Sequence, residues 1–488
     1  MSASYFQYRC YNEHPFIKER AEDLFKLYQA GRNRKLKDKH DKAAIRRAFK
    51  VALAGLFLGG AYDDHGSFVR ISLNNNNYYG QSRLSPVFRS ELLKVFRWLI
   101  DEEYITCVSN TYHDPITQRE IPRGYRLTDS LMASVENHKE VARQVRLQTT
   151  RNSDASFIEL RDDDKRCLRL KPSAQNALSK PLLTWYDEEL NNHTFTIANQ
   201  GIPPFYLSLT RIYSQGSYEL GGRFYSLFQG LRSQSRLHLQ IDGEHVFEVD
   251  LSSLHPTMLY RKAGLHLEHD PYEVEGFPRS VVKVAMQVLL NTTKPFPPAN
   301  SLRYYLAKAK RSKRNRNDKA WQEIDFTTDY CHQLALAVAA RNKPITEFFS
   351  QGIGLKLQHL DSIFTSCILH FVKKTSPSTV VIPIHDSYVI KQSELSILLD
   401  ALEFAESTLT KLQGWDPIHP RIKIESVFMD DLSTYESILA ERSLDIGSTT
   451  VKEEDITSQL EGFMLDQDLD EDELEEAYDL DAGYEHHQ

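Results

Sequence analysis

The chain has 488 residues, of which 41% are hydrophobic, so it is long enough to bury the cores of two to four domains. It contains no uncharged apolar stretch of 18 residues and no secretory signal at its start, which excludes a membrane-spanning helix and argues against export. Five scattered cysteines without CxxC spacing predict a reducing cytoplasm and no structural zinc.

Charge is divided unevenly along the chain. From Lys452 onward, 15 acidic residues accompany a single lysine, a net charge of −14, so the rest of the chain carries +6 of the total of −8. A basic body suits an anionic partner such as nucleic acid, but a solvated surface would also account for it. The acidic segment 446–488 is low in aromatic residues and is predicted to be a disordered tail.

Residues 1–136 predict helices followed by a β-hairpin. Apolar residues recur at helical spacing from Lys42 to Leu58, and Ser85-Pro86 is a typical start for a second helix. Two β-type runs then flank a polar turn, so the segment resembles a winged helix. This predicts a DNA-binding module, with a protein-interaction module as the alternative. The candidate DNA-binding residues are Arg89, Arg97 and Arg123.

Asp250 lies at the end of an apolar β-type run. The stretch Leu237–Val249 predicts a hairpin that turns at Asp242-Gly243, and its second strand leads directly to Asp250. Ser252, Ser253 and Pro256 then turn the chain into an apolar helix. A carboxylate in this position can hold a metal ion, although a helix-capping role would fit the same pattern.

Two downstream features favour the metal site. Arg279 and Lys283 are four residues apart on a predicted helix, so both can face one triphosphate, although a solvated basic face is the alternative. Asp386, preceded by His385, lies at the tip of a predicted apolar hairpin and supplies a second carboxylate. Gln358 lies near the start of a long helix between these two features.

Five motifs in one order resemble the right-hand polymerases of the A-type DNA polymerase and single-subunit phage-type RNA polymerase superfamily. The motifs are Glu219-Leu-Gly-Gly-Arg223, Asp250-Leu-Ser-Ser-Leu-His-Pro, Arg279-x-x-x-Lys283, Gln358 and His385-Asp386-Ser387. The resemblance covers roughly residues 205–430.

The chain departs from the family pattern at two motifs. Glu219 replaces the usual Thr or Asp, and Asn291 stands where the fingers helix of the family carries a tyrosine. The roles of that tyrosine are therefore not transferred to this chain. The sequence around Asp250 also resembles the corresponding motif of B-type polymerases, but the Asp-Thr-Asp motif of that family is absent from this chain.

The resemblance implies two-metal nucleotidyl transfer. Asp250 and Asp386, with the carbonyl of Leu251, would hold two Mg2+ ions, or alternatively Mn2+, about 3.5 to 4 Å apart. Arg279 and Lys283 would bind the triphosphate, with Lys283 as the catalytic proton donor to pyrophosphate. The residues implied to contact template or primer DNA are Arg223, Gln358 and His385.

His255, five residues after Asp250, is implied to stand against the 2′ position of the nucleotide sugar. An imidazole there would clash with a 2′-hydroxyl, so the sequence predicts a DNA polymerase that uses dNTPs. The alternative is that His255 packs in the turn and makes no contact with the sugar. Replication of a plasmid, phage or mobile element is the expected setting, with replication proteins as candidate partners of the acidic tail. The rival functions are a single-subunit RNA polymerase or primase, and a non-enzymatic replication initiator with a degenerate palm.

The predicted fold class is α+β: a polymerase right hand with an antiparallel-sheet palm and helical fingers and thumb, preceded by the winged-helix-like domain. The predicted order is the N-terminal domain (1–136), a linker or thumb-like region (137–205), palm (206–262), fingers (263–350), palm (351–445) and the acidic tail (446–488).

Overall fold

The computed structural model describes most of the chain. Among the described residues, no helix is both long and apolar enough to span a bilayer. The described ranges are 3–6, 10–31, 39–60, 68–73, 86–113, 120–132, 135–151, 157–170, 173–312, 315, 317–427 and 446–448.

The N-terminal part combines helices with a small sheet. Its helices are α1 (Pro15–Ala30), α2 (Lys39–Leu58), α3 (Pro86–Asp101), α4 (Asp129–Met132) and α5 (His138–Leu147). Its strands are β1 (Ala3–Tyr5), β2 (Cys10–Tyr11), β3 (Phe68–Arg70), β4 (Ile105–Ser109), β5 (Tyr112–His113), β6 (Glu120–Ile121), β7 (Gly124–Leu127) and β8 (Thr150–Arg151). The sheet order is β1-β3-β7-β4, and β4 pairs antiparallel with β7. The predicted helices and hairpin are therefore present.

The rest of the chain forms a second, larger α+β unit. Its helices are α6 (Ala174–Leu190), α7 (Ser233–Arg236), α8 (Leu254–Lys262), α9 (Arg279–Asn291), α10 (Ala299–Arg311), α11 (Lys319–Gln322), α12 (Thr328–Arg341), α13 (Gly354–Thr375) and α14 (Leu395–Gln413). Its strands are β9 (Ile158–Leu160), β10 (Phe195–Ile197), β11 (Gln200–Gly201), β12 (Thr210–Tyr213), β13 (Gly221–Tyr225), β14 (Leu239–Ile241), β15 (Glu244–Ser252), β16 (Ile382–Ile384), β17 (Ser387–Lys391), β18 (Arg421–Ser426) and β19 (Ile446–Ser448).

Strand β15 is the centre of the main sheet, whose order is β11-β10-β14-β15-β17-β16. Its first residues pair with β14, its middle with β17 and its last residues with β18, all antiparallel. The β14–β15 turn has positive φ at both Asp242 (55°) and Gly243 (83°), as a two-residue hairpin loop of this handedness requires. The α+β fold class is confirmed.

Segments within residues 137–205 contribute to both cores. Val145 of α5 packs into the N-terminal core, whereas β10 pairs with β14 in the main sheet. The alternating buried Phe195 and Ile197 of β10 explain this pairing, because a half-buried strand needs a sheet neighbour. Residues 446–448 form β19 on the edge of β18, and residues 449–488 lie outside the described part. The domain boundaries and the disordered tail stay predictions.

Candidate active site

The main sheet brings Asp250 and Asp386 together. Asp250 pairs across the sheet with Ser387, the residue that directly follows Asp386. The backbone N–H of Leu251 donates to the carbonyl oxygen of Asp386 at 2.9 Å, which fixes the β16–β17 turn against the end of β15. The two predicted carboxylates therefore belong to one site, although they are 136 residues apart in sequence.

Left-handed backbone conformations flank both carboxylates. His385 has φ of 56° immediately before Asp386, and Ser253 has φ of 60° at the start of α8, three residues after Asp250. Neither residue is glycine, so each conformation costs about 1–3 kcal/mol, which the surrounding structure must offset. Such outliers cluster at functional sites, and these two lie where the chain turns away from the carboxylates.

The electrostatics of Asp250 identify its neighbours. Burial and the charge of Asp386 raise the pKa of the Asp250 carboxyl, whereas the Ser252 hydroxyl, which donates to Asp250 Oδ2 at 2.9 Å, lowers it. The ammonium group of Lys283, on α9, also lowers this pKa. A partly buried pair of mutually repelling carboxylates is a donor set that a divalent cation relieves.

The residues present fit the implied magnesium ions. In the described part of the chain, no three His, Cys, Asp or Glu side chains converge as a metal cluster. Mg2+ is often held by one or two carboxylates, with substrate phosphates and water completing its shell, so a two-carboxylate site is sufficient. The predicted ligands are therefore Asp250, Asp386 and the carbonyl of Leu251.

Arg279 lies at the first position of α9, one turn before Lys283. Its Nε donates to Asp270 Oδ2 at 2.6 Å, and its guanidinium lies over the ring of Tyr272, 5.2 Å from the centroid. Both predicted triphosphate-binding cations thus lie on one helix, and the side chain of Lys283 is exposed.

Arg223 and His255 share a buried partner, Asp361 of α13. Arg223 Nε donates to Asp361 Oδ2 at 2.7 Å, an amino nitrogen of Arg223 lies 3.1 Å from His255 Nε2, and that Nε2 is 3.7 Å from Asp361 Oδ2. The Asp361 side chain is only 1% exposed. Burial opposes its ionisation, but Arg223 and His255 outweigh burial and hold the pKa of Asp361 below its usual range.

Gln358 is buried, and His385 is half-buried. Burial, followed by the charge of Arg223, lowers the pKa of His385 to about 4, so the ring is neutral at neutral pH. The ring makes an edge contact with Tyr225 at 5.7 Å. Among the described residues, Nε2 of Gln358 has no hydrogen-bond partner.

The predicted DNA-binding residues of the N-terminal part lie outside this site, on a unit with its own core. Arg97 and Arg123 are exposed, and Arg97 donates to the carbonyl of Leu73 at 3.3 Å. The side chain of Arg89 lies outside the described residues, although its backbone belongs to α3.

Sequence reasoning missed several residues of the site. The fold places three further residues at the site: Asp361, Asp270 and Tyr272. Only Asp361 could have been suspected from the sequence, because it lies three residues after Gln358 on the same helix. The buried ion pair between Arg236 and Glu248, at 2.7 Å, was also missed; Glu248 Oε1 further accepts from the hydroxyl of Ser387 at 2.9 Å.

No protein-family model matches this chain, and no curated protein matches it at a significant level. Its function must therefore be argued from the site itself.

Proposed function

We propose that this chain is a template-directed DNA polymerase that transfers nucleotides from dNTPs to a 3′ end by two-metal catalysis. The observation that carries the proposal is the juxtaposition of Asp250 and Asp386, with the charge of Lys283 on α9 lowering the pKa of Asp250. An ordinary strand-end carboxylate needs neither the second acid nor the cation. The α+β architecture and the motif order support a right-hand polymerase with β15–β18 in its palm and α9–α12 in its fingers.

In the proposed reaction the 3′ oxygen of a primer attacks the α-phosphorus of a dNTP, a new phosphodiester forms, and pyrophosphate leaves. Divalent cations held by Asp250, Asp386 and the Leu251 carbonyl would favour deprotonation of the 3′ hydroxyl and neutralise charge on the phosphates. Lys283 stabilises the leaving pyrophosphate and donates a proton to it. Arg279 binds the outer phosphates.

The N-terminal unit fits a DNA-holding role in this proposal. Its three long helices and the β4–β7 hairpin support a winged-helix-like module, and Arg97 and Arg123 are exposed on it. A polymerase joined to such a module suits the replication of a plasmid, phage or mobile element.

Extension of a labelled primer on a DNA template with Mg2+ and dNTPs tests the proposal. We expect the wild type to extend the primer and Asp386→Ala to lose at least about 1,000-fold in rate, because an electrostatic contribution to the transition state is removed. The matched control is Asp416→Ala, which removes an exposed carboxylate outside the site. Near-normal extension by Asp386→Ala, at an unchanged melting temperature, would defeat the assignment, as would a wild type that extends no primer.

A further inference from the structure

Arg279 has an acidic partner that the polymerase resemblance does not supply. Its Nε donates to Asp270 Oδ2 at 2.6 Å, while its side chain stays 56% exposed. Among the described residues, the two terminal nitrogens of Arg279 make no further hydrogen bond. The carboxylate therefore holds the guanidinium by its inner nitrogen and leaves the outer pair open.

The loop that carries Asp270 is held from two sides. Asp270 Oδ1 accepts from the N–H of Tyr272 at 2.9 Å, which forms a tight turn. The carbonyl of Pro271 accepts from Nδ2 of the buried Asn342 at 2.9 Å, and Arg341 donates to the carbonyl of Asp270 at 3.4 Å. Because Arg341 and Asn342 lie at the end of α12, the position of the Asp270 carboxylate is fixed by the fold and does not depend on Arg279.

Tyr272 supports Arg279 from within the same loop. Its ring is buried beneath the guanidinium of Arg279. Burial and the charge of Asp386 raise the pKa of Tyr272, and interaction with the Ser253 side chain partly opposes the rise. The packing of the ring against the guanidinium restricts the orientation of Arg279.

We infer that Asp270 is a positioning residue, which together with Tyr272 orients Arg279 so that its outer nitrogens grip the phosphates of the incoming nucleotide. This rests on the proposed function. A planar guanidinium binds a phosphate through two parallel N–H donors, and fixing its Nε beforehand removes the entropy cost of orienting it at binding. A latch in which Asp270 competes with the triphosphate for Arg279 predicts the opposite effect on nucleotide affinity.

Asp270→Asn separates the two mechanisms, because the amide oxygen can still accept from the Tyr272 N–H while the charge that holds Arg279 is lost. We expect the KM for dNTP to rise about tenfold in single-nucleotide primer extension, with kcat changed less than about threefold. The Kd for primer–template and the melting temperature should match the wild type. The charge-matched control is Glu275→Gln, an exposed acid in the same loop, which should leave the KM unchanged.

A double-mutant cycle shows whether Asp270 acts through Arg279. Arg279→Ala alone should raise the KM, and adding Asp270→Asn to it should change the KM by less than about twofold. Full additivity of the two effects would overturn the inference, as would an Asp270→Asn enzyme with the wild-type KM. A fall in KM would establish the competing latch.

The failure of this inference is distinguishable from failure of the proposed function. If the wild type extends no primer, the polymerase assignment fails and the inference fails with it. If the wild type extends primers and Asp270→Asn behaves like Glu275→Gln, only the role of Asp270 is refuted.

Discussion

His255 is the second residue of α8 and lies within reach of both Arg223 and Asp361. His255 Nε2 lies 3.1 Å from an amino nitrogen of Arg223 and 3.7 Å from Asp361 Oδ2. The imidazole is therefore fixed in place by two side chains, and its side chain remains 23% exposed. A fixed and partly exposed ring suits a steric barrier better than a mobile one would.

His255→Ala should weaken discrimination against ribonucleotides. Removing the imidazole opens space at the predicted 2′ position, so the preference for dNTP over rNTP in kcat/KM should fall at least about tenfold. The measurement is single-nucleotide incorporation with paired dNTP and rNTP substrates. His332→Ala, at an exposed position of α12, is the control. Equal use of both sugars by the wild type would contradict the prediction and favour an RNA polymerase or primase.

The same network engages the guanidinium of Arg223 within the protein. The resemblance implies a DNA contact, but two of its nitrogens are engaged by Asp361 and His255, and its side chain is 12% exposed. A buried carboxylate paired with arginine is costly to break, about 3–5 kcal/mol when one partner is removed. Arg223 therefore has a structural role beside any contact with DNA.

At the scale of elements, local sequence signals predicted the strands that carry the two carboxylates. The Asp242-Gly243 turn, the apolar alternation of β15 and the apolar β16–β17 hairpin are all local patterns, and they place Asp250 near the end of β15 and Asp386 in the β16–β17 turn. The start of α9 was equally readable, since Pro278 immediately precedes its first residue. Turn-forming residues and the alternation of side chains act within a few residues, so these features can be predicted from a single sequence.

The partners of the site residues could not be predicted in this way. Asp361 and Arg223 are 138 residues apart, and Arg341 holds the Asp270 loop across 71 residues. Nothing in the local pattern of either partner specifies the other. The sequence Asp270-Pro-Tyr272 by itself indicates only a helix cap. The bond between Asp270 and Arg279 could not be predicted, because it depends on where the end of α12 places the loop.

The approach of Asp250 on β15 to Asp386 in the β16–β17 turn should lower the free energy of unfolding. Burial and Asp386 raise the pKa of Asp250, so the ionised carboxylate is disfavoured in the folded protein. For a raised carboxyl pKa, stability is present at low pH and is lost as pH rises from the ordinary carboxyl pKa through the raised one. The cost of this charge is therefore expressed in full once the pH exceeds the raised pKa.

Asp250→Asn should consequently stabilise the protein while abolishing nucleotide incorporation. In EDTA at neutral pH we expect its melting temperature to exceed that of the wild type by about 2–4 °C, which corresponds to roughly 1 kcal/mol. Adding Mg2+ should raise the melting temperature of the wild type and have a smaller effect on the variant. Thermal unfolding with and without Mg2+ checks both points, and a lower melting temperature for Asp250→Asn would contradict the prediction.

At the scale of the whole molecule, the described residues form two large cores. One core lies among residues 6–145, and the other surrounds the main sheet. The N-terminal unit is joined to the larger one where Cys10, Ala54 and Leu58 pack into the larger core. The exposed arginines of the N-terminal unit therefore lie on a part of the chain with its own core.

This division predicts that DNA affinity and chemistry can be separated. Arg97→Ala combined with Arg123→Ala should weaken binding to duplex DNA and reduce the slope of log K against log salt by about 2, since each arginine is predicted to neutralise one phosphate. At saturating primer–template, kcat should stay within about twofold of the wild type. Fluorescence anisotropy across a salt series, paired with single-nucleotide extension, measures both quantities.

The control for this pair is the combination of Lys374→Ala and Lys411→Ala, which removes two exposed positive charges from the larger unit. If both double variants lose affinity equally, the basic surface acts without a defined binding face, and the N-terminal unit is not the DNA-binding module. If the Arg97 and Arg123 variant binds DNA as the wild type does, the unit serves another partner. A selective loss at unchanged kcat assigns DNA holding to the N-terminal unit and leaves nucleotidyl transfer to the sheet that carries Asp250 and Asp386.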